Sequence, residues 1–262
     1  MKKWFTTALA AAAVCLSAGF VHAGGHSQTV KVGVAAEPYP PFTSPNAAGE
    51  WSGWEVDFMK AVCAEAKLEC VITPVAWDGI IPALTSKKID AIMGSMSITE
   101  ERMKTIAFSD KYYNTPAAIV TAKGSGMEPT PESLKGKILG VQTATTHQRY
   151  SQKYFGPVVA ELKEYQTQDE ANQDLAAGRI DATMADSLAM DAFVKSSAGS
   201  CCEIVGNPKD DPAILGAGVG VGLRKEDTKL RDTFNAAIKA IRENGTYDEF
   251  SKKYFDFNIY GG

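Results

Sequence analysis

The chain has 262 residues, 22% of them charged and 45% hydrophobic, with 31 acidic against 27 basic side chains and a net charge of −4 at pH 7. Nothing in that balance suggests nucleic acid, which needs a basic face. The length exceeds one typical domain and suits two lobes of roughly 100 residues each.

Lys2 and Lys3 form a charged head, Thr6 to Val21 is short and apolar, and Val21-His22-Ala23 fits a small-residue cleavage site. Residues 1–23 therefore read as a secretory signal peptide, with the mature chain starting at Gly24. The apolar stretch is shorter than the ~20 residues a membrane span needs. Cys15 lies inside it behind Val14, where a lipoprotein signal would carry a small residue. Loss of the two lysines takes the net charge to −6, with 25 basic residues facing 31 acidic ones. No later segment is long and apolar enough to span a membrane.

Val30 to Ala35 alternates as a strand and runs into Glu37-Pro38-Tyr39-Pro40-Pro41-Phe42, a loop whose prolines stiffen the backbone and present aromatic rings. Gly53 to Leu68 predicts an amphipathic helix with Val56, Met59, Val62 and Cys63 on its apolar face, and Cys70 opens a strand to Val75. In an oxidising compartment a Cys63–Cys70 disulfide would staple helix to strand; two buried thiols are the alternative. Trp77-Asp78 ends this strand and caps a short helix with Pro82 near its first turn. A strand over Ile89–Met93 follows, then a helix started by Thr99 and carrying Arg102.

Ala117 to Ala122 reads as an extended crossover into a second lobe. There the order repeats: strand Lys137 to Gln142, helix Thr145 to Phe155 closed by Gly156-Pro157, a helix at Asp169 and a strand at Ile180. Cys201 and Cys202 are adjacent, with Cα atoms about 3.8 Å apart across a trans peptide, below the usual disulfide range. A strained vicinal bond, free thiols and intermolecular pairing are all open for them. Ile214 to Leu223 reads as a strand-like return crossover. Its G-x-G-x-G-x-G spacing puts Val221 where a G-x-G-x-x-G phosphate loop needs its third glycine. The last helices, Lys229 to Glu243 and Thr246 to Phe255, carry Leu230, Phe234, Ile238 and Ile241 at helical spacing and are expected to pack on the first lobe, with Gly245 as a C-terminal cap between them.

An internal repeat underlies this order. Asp78, Leu84, Lys88, Ile89, Asp90, Ala91 and Met93 recur at identical offsets as Asp169, Leu175, Arg179, Ile180, Asp181, Ala182 and Met184. Each copy predicts an Asp N-cap, an apolar helix and a short buried Ile-Asp-Ala strand. Five residues past the second Asp of each copy stand Ser95 and Asp186. Open α/β sheets bind ligands at the carboxyl ends of their strands, so two facing lobes would form a cleft with polar groups on both walls. Two crossovers without a long linker imply a hinge that closes around a ligand.

Gly53-Trp54-Glu55-Val56-Asp57, Trp77 to Leu84, Lys88 to Arg102, Phe108-Ser109 with Tyr112-Tyr113, Gly140-Val141-Gln142, Gly178 to Ala182 and Gly245-Thr246-Tyr247 resemble the periplasmic amino-acid-binding proteins of ABC importers, over residues 28 to 258. The likeness is greatest to the branch for lysine, arginine, ornithine, histidine and opines, which also shares the spacing of Cys63 and Cys70. The resemblance implies an α/β, two-lobed periplasmic-binding-protein fold of type II, with lobe 1 over 28–115 plus 216–262, lobe 2 over 116–215, and a two-strand hinge. It implies a periplasmic monomer that binds an amino acid, most of all a basic one, without cofactor or metal, and delivers it to a membrane permease.

By matching positions, the resemblance implies that Arg102 clamps the ligand carboxylate as a guanidinium fork. Thr145, Thr146 and His147 sit at a helix start whose N-H groups favour an anion. Asp186 would take the ammonium with Ser95 and Ser97, and Tyr39 and Trp77 would sandwich the side chain. Gly94, Gln142 and Glu37 complete the set. Two departures bear on specificity: the branch commonly has an acid three positions before the aromatic, where this chain has Ala36 and places Glu37 two before Tyr39; Gly94 and Ala144 replace a frequent serine and a frequent glycine.

Each role has a plainer rival. Arg102 could pair with Glu100 or Asp110, Asp186 could cap a helix begun by Ser187, and Tyr39 and Trp77 could be packing. The competing function is a periplasmic enzyme on this fold, like a cyclohexadienyl dehydratase. No H-E-x-x-H, G-x-S-x-G or zinc-type spacing occurs, which leaves His147 as the candidate imidazole base and Glu37 as the candidate carboxylate.

Overall fold

The first elements along the chain are β1 (Thr29–Ala35), β2 (Ser44–Pro45), β3 (Trp51–Ser52), α1 (Trp54–Glu65), β4 (Glu69–Val75), a 3-10 turn at Trp77–Gly79, α2 (Ile80–Thr85), β5 (Ala91–Ile92), α3 (Glu100–Met103) and β6 (Ala107–Tyr113). There follow β7 (Ala117–Ala122), β8 (Ile138–Gln142), α4 (Thr146–Tyr154), β9 (Glu161–Tyr165), α5 (Gln168–Ala176), β10 (Ala182–Asp186), α6 (Ser187–Lys195) and β11 (Cys202–Gly206). The chain closes with α7 (Pro212–Leu215), β12 (Val219–Leu223), α8 (Thr228–Glu243) and α9 (Thr246–Ser251). This computed structural model describes Met1 and residues 29–261; apart from Met1, the expected signal peptide lies outside the described residues, as does His26.

Two five-stranded sheets form the two lobes, in the orders β4-β1-β5-β12-β6 and β11-β7-β10-β8-β9. Both have a parallel trio, β4-β1-β5 and β9-β8-β10, extended by antiparallel strands. The strand next to the parallel trio in each sheet is the first one after a crossing between the lobes: β12 in the first, β7 in the second. Ala117–Ala122 is thus a full sheet strand rather than a free crossover. Five of its six residues are buried, and buried backbone groups require ladder partners. Residues 114–116 and 207–218 do the crossing. Ile214 belongs to the helical turn α7, capped by Asp211, and extended structure resumes only at Val219. Gly216 and Gly218 hold φ of 96° and 112°, and a Cβ at Gly216 would stand 2.5 Å from the Ile98 carbonyl oxygen, so glycine here serves close backbone approach.

The sequence repeat corresponds to a repeat of contacts. Asp90 Oδ2 accepts from the Lys31 N–H at 3.1 Å and Asp181 Oδ2 from the Ile138 N–H at 2.7 Å, so the second Asp of each copy ties its strand to the neighbouring one. Ile89 and Ile180 occupy the space over Gly33 and Gly140, where a Cβ would meet their Cδ1 atoms at 2.3 and 2.5 Å. The first Asp of each copy is not the cap. Thr167 caps α5 and forms a capping box with Glu170, which leaves Asp169 in the first turn; Gly79 precedes α2 without a side-chain cap. Strands β2, β3, β6, β9 and β11 go beyond the expected set; Glu161–Tyr165 buries no residue fully, which weakens the alternation that marks a strand.

The last helices pack on the first lobe as expected. Phe234, Ile238, Ile241, Tyr247 and Phe250 join Val30, Val32, Val56 and Phe58 in one core, and Trp54 Nε1 donates to Ser251 Oγ at 2.9 Å. Cys63 and Cys70 form a disulfide between α1 and β4. Cys201 is an exposed thiol and Cys202 a buried one. Among the described residues no helix is long and apolar enough to cross a membrane.

Candidate functional site

Every predicted site residue lies near the carboxyl end of a strand or in the segment that follows, where open α/β sheets build their sites. Glu37 and Tyr39 follow β1, Trp77 follows β4, Gly94, Ser95 and Ser97 follow β5, and Arg102 rides on the adjacent α3. From the second lobe, Gln142 ends β8, Thr145 to His147 start α4, and Asp186 ends β10. They enclose two adjoining cavities of about 50 and 200 Å³ that share Tyr39, Ser95, Ser97, Thr146 and His147 as common walls. Asp186 lines the larger; the other eleven predicted residues line the smaller.

Thr99 caps α3 by accepting from the Arg102 N–H, and this fixes where the Arg102 side chain starts. That side chain runs inward, with the residue only 6% exposed. One terminal nitrogen donates to the Ser97 carbonyl at 3.0 Å, and the other reaches across the cleft to the Ala144 carbonyl at 3.3 Å. The guanidinium stands 5.5 Å from the centre of the Trp77 ring. Burial, with a smaller push from the Arg149 charge, lowers its pKa to about 9, so it stays cationic at neutral pH. Neither Glu100 nor Asp110 pairs with it, and no carboxylate among the described residues does.

Asp186 does cap α6: its Oδ1 accepts from Leu188 N–H at 2.8 Å and Ala189 N–H at 3.3 Å, while Oδ2 accepts from the Thr115 hydroxyl. Capping and facing the cavity are compatible because the carboxylate has four lone-pair directions and the cap uses one oxygen. The residue is 9% exposed. Burial raises its pKa to about 6 against the opposing pull of those hydrogen bonds. It, too, has no ion-pair partner among the described residues.

At the second-lobe helix, Thr145 Oγ1 accepts from Gln148 N–H and donates to the Gln142 carbonyl, which locks the turn that leads into α4. His147 is kept neutral: burial first, then the Arg102 charge, push its pKa down to about 4. The Oε2 of Glu37 and the Nε1 of Trp77 are buried without a hydrogen-bond partner. A Cβ at Gly94 would meet ordinary contacts, the nearest at 3.5 Å, so packing does not demand glycine there. Ala144 stands at φ 57°, a left-handed conformation unusual for a residue with a Cβ, and its carbonyl is the one Arg102 reaches.

Several polar residues at the site, among them Thr43, Thr115, Gln168 and Glu55, were not singled out from the sequence. Gln168 lines the smaller cavity and donates to Asn172 and Thr183; nothing in the sequence marks it out from other first-turn residues. Glu55 lies behind Ser95. Its signal was an acid set between Trp54 and Val56 on an apolar helix face. Among the described residues no cluster of three or more His, Cys, Asp or Glu could hold a metal.

The sequence model of bacterial extracellular solute-binding proteins, family 3, matches residues 30–257. The L-arginine-binding protein of Pseudomonas aeruginosa is 43% identical over 233 residues, covering 88% of this chain and 90% of that one. The histidine-binding periplasmic protein of Salmonella typhimurium is 43% identical over 234 residues, with the same coverage of both chains. Among solved structures, an ancestral arginine-binding protein bound to arginine superposes with a TM-score of 0.79 at 35% identity, covering 87% of this chain and 98% of that one. All three are named for binding rather than for a reaction.

Proposed function

From the premise that the chain belongs to the bacterial extracellular solute-binding proteins, family 3, we propose that it captures a free basic L-amino acid in the periplasm and delivers it to the permease of an ABC importer. Lobe 1 comprises residues 28–115 plus 216–262 and lobe 2 residues 116–215, and the lobes close on the ligand. The observation that carries this reading is a buried guanidinium, Arg102, and a buried carboxylate, Asp186, which line two adjoining cavities with shared walls from opposite lobes, each without a counter-ion among the described residues. Isolated buried charges are costly. A zwitterion supplies both missing partners at once, and only when the lobes are together.

Arg102 binds the carboxylate, aided by the N-H groups at Thr145, Thr146 and His147. Asp186 takes the ammonium with Ser95 and Ser97. Trp77 and Tyr39 hold the aliphatic part of the side chain, with Gly94 and Gln142 in the wall. The buried, unpartnered Glu37 oxygen receives its distal cation, which is the reason to favour arginine, lysine, ornithine or histidine over neutral amino acids. Isothermal titration of the purified mature chain with these four and with glutamine and leucine tests the reading, and mass spectrometry of the released ligand separates binding from turnover. Tight binding of at least one basic amino acid, recovered unchanged, is expected. Failure to bind any, or conversion of a prephenate-like acid, overturns it.

A further inference from the structure

Glu55 sits in the first turn of α1 and is 1% exposed, wedged into the apolar face between Trp54 and Val56. A carboxylate in such a place requires partners. Those it has all donate to it: the Ser95 N–H at 2.8 Å, the Ser95 hydroxyl at 3.2 Å and the Tyr112 hydroxyl. None is a cation. Ser95 is held at φ 56°, a left-handed conformation that a residue with a Cβ seldom adopts unless its surroundings impose it. Two of the three bonds to Glu55 are the ones that hold it there, and Ser95 forms part of the wall common to both cavities.

The direction of these bonds matters. Because the Ser95 hydroxyl spends its proton on Glu55, its oxygen is left as an acceptor toward the cleft. Burial raises the Glu55 carboxyl above its ordinary value, the bonds from Tyr112 and Ser95 oppose that, and the charge of Asp186 on the facing lobe adds a smaller upward push. Asp186 faces the cavity from lobe 2 while Glu55 lies behind Ser95 in the opposite wall, so the two negative charges repel across Ser95 until a cation stands between them.

Resting on the amino-acid-binding reading above, we propose that Glu55 is a positioning residue that selects for the ligand's α-ammonium: it holds Ser95 as a hydrogen-bond acceptor and supplies negative charge from lobe 1 opposite Asp186 in lobe 2. An anion or a neutral group at that position gains from neither carboxylate. The pairing also favours closure only when the ammonium is present, since the cation relieves a repulsion that exists only with the lobes together.

The test compares each basic amino acid with its counterpart lacking the α-amine: L-arginine with 5-guanidinopentanoate, and L-lysine with 6-aminohexanoate, by titration of the mature chain. Glu55→Gln keeps the shape but removes the charge and lets an amide N–H compete for the Ser95 oxygen. It is expected to weaken the amino acid at least about tenfold while leaving the des-amino analogue within about twofold. A purely structural role would weaken both alike. Should Glu55→Gln fail to fold, Ser95→Ala removes the acceptor together with its hydroxyl bond to Glu55, keeps the Ser95 N–H bond, and is expected to show the same selective loss. A parent chain that binds neither amino acid overturns the binding reading and this inference with it. A parent that binds, with variants that weaken both ligands equally or neither, overturns this inference alone.

Discussion

Replacing Asp186 by Asn should move stability and affinity in opposite directions. The buried carboxyl has a pKa of about 6 in the folded chain against about 3.9 in an unfolded one, a gap worth about 3 kcal/mol. The folded state holds this proton more tightly than the unfolded state. Below about pH 4 the group is protonated in both and contributes nothing; between about pH 4 and 6 the fold loses stability as pH rises, and above 6 the full loss stands. Asn never ionises and caps a helix as well as Asp does. Asp186→Asn should therefore raise the stability of the ligand-free chain at pH 7 by up to about 3 kcal/mol, and leave it nearly unchanged at pH 4. Amino-acid binding should fall by more than about tenfold at pH 7, because the ammonium loses its counter-ion. On the proposed reading the proton and the ammonium compete for Asp186 in the parent chain, so lysine affinity should drop about tenfold from pH 7 to pH 5, and this dependence should be absent from the variant. Denaturant unfolding at pH 4 and 7 with titration calorimetry at pH 5 and 7 measures all of this. A variant that is destabilised equally at both pH values, or that retains parental affinity at pH 7, would refute the argument.

Arg102→Ala removes one side of the charge pair and should weaken binding by about 2 to 5 kcal/mol; titration calorimetry reads it directly, and unchanged affinity would remove the carboxylate role. Arg102→Lys should recover only part of the loss, since an ammonium cannot make the two-pronged contact. Replacing Cys63 and Cys70 together by Ala opens a ring with a sequence separation of 7 and should cost about 2.5 kcal/mol by loop-closure entropy, measured as a lower denaturation midpoint with binding retained. Gly53→Ala should destabilise by more than about 2 kcal/mol, because φ is 125° and the added Cβ would lie 2.2 Å from the Phe42 carbonyl oxygen; a neutral change in thermal unfolding would contradict the described turn.

Much of the architecture was readable from local pattern. Alternation in Val30 to Ala35, the 3.6-residue spacing of Phe234, Ile238 and Ile241, and the repeat joining Asp90 to Asp181 each report on which face of an element is buried, and burial is a property of neighbours in sequence as much as in space. The resemblance then singled out Arg102, Asp186 and their companions by position, and the fold gathers them around one cleft. What local pattern could not carry was pairing. Nothing in Ala117–Ala122 or Val219–Leu223 says that each pairs into the sheet of the lobe the chain has just entered, because strand partners far apart in the chain leave no periodic mark. Nor does sequence tell how much water a group loses. Asp186 could be read as a ligand contact or, more plainly, as a helix cap, and the fold makes it a cap whose carboxylate also lines the cavity. Glu55 looked like one acid among many until Ser95, forty residues on, closed over it. Charge, spacing and apolar period are written along the chain; desolvation and hydrogen-bond direction arise only when distant segments meet, and those two quantities set the chemistry of the cleft.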